Sequence, residues 1–124
     1  MTANDVSVVM AHGGWADGSS WARVVTGLAA AGIKSVAAPL PLTELTDDVA
    51  ALNRSIERMP GPIVLAAHAY AGAVIGLARS ERVKALVYVT AFAPDEGEKL
   101  TDLFFRAEPH PQAPKLVPDS ANLL

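Results

Sequence analysis

No cysteine occurs in the 124 residues, which excludes disulfides, a thiolate nucleophile and cysteine-held zinc. An excess of basic charge is also lacking. Ten Lys and Arg stand against 13 Asp and Glu, a formal net charge of −3, so no basic face advertises nucleic acid or anionic lipid. There is no GxxxxGK[ST] phosphate loop. The N-terminal stretch MTANDVSVVMAHGG has no basic region ahead of an apolar one, so a secretory signal is not expected and the predicted location is cytoplasmic. The longest apolar run, Ile63 to Ala78, is short of the about 20 residues that a membrane span needs, and it contains His68 and Tyr70. It reads instead as a buried strand followed by a buried helix. Histidines and carboxylates show no metal-ligand spacing, and neither metal nor cofactor is expected.

What is present is a globular composition, 51% hydrophobic and 19% charged, in a length that suits one domain at most. Val6 to Ala11 is a β-branched run that predicts a buried strand, followed by a glycine-marked loop, Gly13, Gly14 and Gly18. Trp21, Val24, Val25 and Leu28 recur at helical spacing, with Asp17, Ser19 or Ser20 as caps and Gly32 as the left-handed stop. Ser35 to Ala38 predicts a second strand. A helix capped by Thr46 follows, with Asp47 and Asp48 in its first turn, where carboxylates suit the dipole, and a buried stripe of Val49, Leu52, Ile56 and Met59. Ile63 to Ala67 predicts a third strand, with a helix running on to about Arg79. Ala85 to Ala91 predicts a fourth strand, and Glu98 to Arg106 a short helix. The segment 109–124, with four prolines in its first ten residues, reads as a loop leading into a lid, so the core is expected to span 1–108. Strands apolar on both faces that alternate with helices predict an α/β fold, a parallel sheet with helices on both faces. The loops after the first and third strands then lie at the carboxyl edge, where ligands bind in open α/β sheets.

Those two loops carry the most specific residues. The first reads His12-Gly13-Gly14-Trp15 and continues as Ala16-Asp17-Gly18-Ser19-Ser20-Trp21. The second reads Ala67-His68-Ala69-Tyr70-Ala71-Gly72, and the fourth strand ends in Ala91-Phe92-Ala93-Pro94-Asp95-Glu96-Gly97. In this order and at βα spacing the three resemble the α/β-hydrolase superfamily, in particular its small esterase and hydroxynitrile-lyase-like branch, over about Val6 to Arg106. The resemblance implies that AHAYAG is a nucleophile elbow, a sharp strand-to-helix turn that needs small residues around it, here Ala67, Ala71 and Gly72. It places the nucleophile at Ala69, where the family has serine. It implies an oxyanion hole formed by the backbone N–H groups of Gly14 and Tyr70, which survive the loss of a serine side chain. Trp15, His12 and Tyr70 are the candidate substrate-binding residues. His12 and His68 read alternatively as structural side chains that shape their loops, and Tyr70 as pocket wall or core.

The sequence departs from the family in three respects. Ala69 has no hydroxyl, so no acyl-enzyme forms by the usual route. The triad's acid and histidine follow the serine in this family, but the only later histidine is His110, in the proline-rich segment. The family would continue into a lid and further strands, so the chain is expected to be the N-terminal part of such a fold, or to be completed by a second fragment. The functional expectation is an esterase-type site for a small ester or carbonyl compound, with any catalysis resting on a His–Asp base from outside these residues. The alternatives are a non-catalytic relative that binds a small ligand, or an inactivated Ser-to-Ala hydrolase fragment. Ala67, Ala69 and Ala71 all depart from the commonest family choices, which favours a natural variant over a single engineered change.

Overall fold

The computed structural model describes residues 5–95. The predicted helix at 98–106, the proline-rich segment, His110 and the Glu96-Gly97 end of the last motif lie outside the described residues. Four strands, β1 (Ser7–Ala11), β2 (Lys34–Ala38), β3 (Ile63–Ala69) and β4 (Val83–Ala91), form one parallel sheet in the order β2-β1-β3-β4. Three helices, α1 (Ala22–Ala30), α2 (Leu45–Glu57) and α3 (Ala71–Ile75), connect them. The α/β architecture expected from the alternation of elements is therefore present.

Strand side chains alternate between the two faces, and each face has its own core. Val9, Ala11, Ile63, Leu65 and Ala67 pack with Leu52 and Ile56 of α2 and with Val74 and Ile75 of α3. Met10 and Ala66 face the other way and pack with Trp21, Val25 and Leu28, on and just before α1. The chain thus runs from β1 outward to β2 under one face. It returns over β1 to β3 and on to β4 under the other, as right-handed crossovers require when the direction of winding reverses.

Local differences from the sequence reading have physical causes. Ahead of α1, Gly18–Trp21 forms a 3-10 turn capped by Asp17, whose carboxylate accepts both the N–H and the hydroxyl of Ser19. The helix proper starts only at Ala22, and Val24 points to solvent. Thr46 is not the cap of α2, since it lies inside the helix; Glu44 holds the cap position without a side-chain bond. Gly32 does take the left-handed conformation after α1, with φ 78°. The third strand runs two residues further than expected, to Ala69. α3 stops at Ile75, well short of Arg79, as Leu77 and Ala78 bond back three residues to Val74 and Ile75 in tighter turns. Two glycines, Gly72 and Gly76, lower the propensity for a longer helix there. No helix among the described residues is long and apolar enough to cross a membrane.

Candidate active site

Reversal of the winding makes β1 and β3 neighbours at the point where the chain changes direction, and a crevice at the carboxyl ends of such strands is the usual ligand position. The loop after β1 carries His12, Gly13 and Gly14. The turn after β3 carries Ala69 and Tyr70. The two are in contact. A Cβ added to Gly13 would lie 3.3 Å from Ala69 Cβ and 3.2 Å from His68 Nδ1, and one added to Gly14 would lie 3.9 Å from Tyr70 Cβ.

Ala69 sits at φ 52°, a left-handed conformation that non-glycine residues seldom adopt. Tyr70 is already helical and α3 begins at the next residue. A reversal this sharp leaves no room nearby. Ala67 and Ala71 are fully buried, and a Cβ on Gly72 would lie 1.7 Å from the Phe92 carbonyl oxygen. The glycine at position 72 is thus explained by Phe92, just after β4, which presses on the turn. Strain of this kind persists only where the surroundings over-determine it.

Two planar peptide units border the crevice, and each is fixed from its carbonyl side. The Gly13 carbonyl accepts a bond from His12 Nδ1 (2.9 Å) and one from the Ala16 N–H (3.2 Å). The Ala69 carbonyl accepts from the Phe92 N–H (3.1 Å). In a trans peptide the N–H points opposite to its own C=O. Fixing these two carbonyls therefore aims the N–H groups of Gly14 and Tyr70 away from them, and neither N–H bonds to a described residue. A pair of free N–H donors flanking one turn is chemically suited to an oxygen that carries negative charge.

His12 is buried, at 2% exposure, and both ring nitrogens are occupied. Nε2 accepts from the Leu40 N–H (3.1 Å), so the proton resides on Nδ1, which donates to Gly13. No ring nitrogen of His12 is left for a ligand, in favour of the reading in which it shapes the loop. His68 is exposed rather than packed inside the turn. Trp15, at 64% exposure, stands out at the same edge. The Tyr70 ring is half-buried against the core, and its hydroxyl donates to Asp48 Oδ2 (2.6 Å). Burial, with the Asp48 hydrogen bond and charge behind it, pushes the phenol well above its ordinary pKa of about 10. Asp48 itself, 1% exposed, accepts a second bond from the Leu42 N–H on its other oxygen (2.7 Å).

Asp48 was legible only as a helix-dipole residue. Its spacing from Leu52 and Ser55, four and seven positions on, would have shown a carboxylate on the buried face of α2. Among the described residues no histidine bonds to a carboxylate and no group of His, Asp and Glu could hold a metal ion. Two open grooves, about 590 and 360 Å³, lie at the opposite, amino ends of the strands around Lys34 and Pro60. They are shallow surface features remote from the β1–β3 crevice and bear on none of its chemistry.

The fold has counterparts among solved structures. A serine-to-alanine variant of a novel pyrethroid hydrolase, PytH, aligns at 22% identity with a TM-score of 0.70, over 84% of this chain and 47% of that one. A histidine-to-alanine variant of PytH aligns at 25% identity and TM-score 0.61, over 70% and 41%. A novel pyrethroid hydrolase from Sphingobium faniae JZ-2 aligns at 25% identity and TM-score 0.59, over 69% and 40%. This chain thus spans less than half the length of each of these relatives. No curated protein matches it. The sequence model of the alpha/beta hydrolase family matches residues 8–123, and the chain belongs to that family.

Proposed function

We propose that the β1–β3 crevice binds a small ester or carbonyl compound by its oxygen, through the N–H groups of Gly14 and Tyr70. Serine-type acyl transfer is not its reaction, since Ala69 carries no hydroxyl at the apex of the turn. The observation that supports this reading is the pair of carbonyl-anchored peptides whose N–H groups flank Ala69 without partners among the described residues. Those donors belong to the backbone, so charge stabilisation survives without the nucleophile. Turnover then needs a general base from outside the described residues, a His–Asp pair by the logic of the family. The neighbours named as pyrethroid hydrolases support a hydrolase-type pocket for a small molecule.

The second reading is a binding protein that keeps the pocket and not the reaction. Ala69 favours it, since it leaves the apex of the turn without a nucleophile. Release of p-nitrophenol from p-nitrophenyl acetate, by the chain as it stands and by its Ala69→Ser variant, separates the two. A gain of several orders of magnitude in the serine variant means that the His–Asp base the enzyme reading requires is at hand, since removing the serine of a complete triad costs about a million-fold. Turnover by neither form, with retained binding of an unreactive oxyanion, leaves the binding reading. Loss of both removes the site.

A further inference from the structure

One buried carboxylate reaches the Tyr70 side of the crevice without belonging to it. Asp48 lies in the first turn of α2, on the buried face that also carries Ala51, Leu52, Ser55 and Ile56. Both of its oxygens act as acceptors, Oδ1 from the Leu42 N–H and Oδ2 from the Tyr70 hydroxyl. A charge so buried is tolerated only when hydrogen-bonded, and these two donors satisfy it along with the helix N-terminus. Each donor belongs to a strained segment or to the neighbour of one. Leu42 has φ 61°, and Tyr70 directly follows Ala69 at φ 52°. The segment Pro39-Leu40-Pro41-Leu42 has two backbone N–H groups, since proline has none. Leu40 gives its N–H to His12 and Leu42 gives its own to Asp48.

We infer that Asp48 is a positioning residue for the Tyr70 N–H, holding it from the side-chain end while Phe92 holds the same peptide from the carbonyl end. The inference rests on the oxyanion reading above. The Ala69–Tyr70 peptide has two rotational freedoms that matter, the tilt of its plane and the placement of the Tyr70 Cα. The Phe92 bond to the Ala69 carbonyl restrains the first. The tether from the Tyr70 ring through its hydroxyl to α2 restrains the second. Without the tether the turn relaxes away from φ 52°, and the Tyr70 N–H swings out of line with that of Gly14. The Gly14 N–H, fixed by His12 through Gly13, is indifferent to the change.

The test uses phenylphosphonate as an unreactive oxyanion and the full 124-residue chain labelled with nitrogen-15. Titration is followed at the Gly14 and Tyr70 amides in the unchanged protein, Tyr70→Phe, Asp48→Asn and the double variant. Tyr70→Phe keeps the ring in place, and Asp48→Asn keeps an acceptor for Leu42. The inference expects each single variant to bind about tenfold more weakly. The shift at the Tyr70 amide should shrink while that at Gly14 persists, and the double variant should be no weaker than the weaker single one. Affinity within twofold of the unchanged protein and an undiminished Tyr70 shift in Tyr70→Phe would overturn it, whatever happens to the melting temperature. If Asp48→Asn does not fold, Tyr70→Phe alone decides. If the unchanged protein shows no shift at either amide, the oxyanion reading fails and takes this one with it.

Discussion

At the scale of single residues, the turn after β3 is governed by what cannot fit beside it. The Phe92 carbonyl occupies the space a side chain at position 72 would need. Gly72→Ala should therefore destabilise the fold by about 3 kcal/mol or more, at the upper end of overpacking costs, because the obstructing atom is backbone and cannot rotate away. Gly27 is the counter-example: it lies inside α1, is exposed, and a Cβ there meets nothing within 4 Å. Gly27→Ala should stabilise by about 0.5–1 kcal/mol through helix propensity and reduced freedom of the unfolded chain. Urea unfolding followed by circular dichroism reads both. Tyr70 gives a pH prediction. Its phenol is protonated in the folded state to a higher pH than in the unfolded chain, where it ionises near pH 10. Its contribution is thus fully present below about pH 10 and is lost as pH rises above that, because only the unfolded state gives up the proton. Tyr70→Phe should cost about 1–3 kcal/mol at pH 7, where Asp48 loses a donor, and should flatten the fall in stability above about pH 10. The sequence announced Gly72 as small. It could not announce the reason, since Phe92 lies twenty positions away and presses on it only through the β3–β4 pairing.

At the scale of elements, the helices divide by how much they bury. α2 turns Asp48, Ala51, Leu52, Ser55 and Ile56 fully inward, whereas no residue of α1 is fully buried. The stripe read from Val49, Leu52, Ile56 and Met59 found the right face of α2, and Val49 and Met59 pack at its margin. Three of the four residues of the α1 stripe face the sheet: Trp21 is in the core with Met10, Val25 and Leu28 pack against them, and Val24 does not. The spacing of apolar residues tells which side of a helix turns toward the sheet, and not how much protein lies over it. The end of α2 has its own anchor. Arg82, from the turn before β4, donates Nη2 to the Ile56 carbonyl (2.6 Å) and Nη1 to those of Met59 (2.6 Å) and Gly61 (3.0 Å). The Ile56 carbonyl is in the last turn of α2, and those of Met59 and Gly61 follow just beyond its end. Arg82→Met should cost about 1–3 kcal/mol, with hydrogen exchange speeding up in the last turn of α2 and not in its first.

At the scale of the whole molecule, the sheet has unlike edges. β4 pairs only with β3 among the described residues, and Leu86, Val87, Tyr88 and Val89 are each 40–45% exposed. A long apolar edge strand invites pairing with another chain. Val87→Lys with Val89→Lys should lower self-association at high protein concentration, read by light scattering, and leave the helical circular dichroism signal in place.

The sequence by itself determined the alternation of strand and helix, the apolar character of both sheet faces and an alanine, with no hydroxyl, at position 69. These are local properties of composition and spacing. Its three motifs also pointed to the family. Only the tertiary structure decided which strands are neighbours, and that decides everything at the crevice. Gly14 and Tyr70 are 56 residues apart in number and meet because β1 lies beside β3. His12 with Leu40, Asp48 with Tyr70 and Phe92 with Gly72 are likewise distant in number and brought together by the tertiary fold. Each contact closes a long loop whose cost no local pattern records, and each is made possible by burial of the two cores on either side of the sheet.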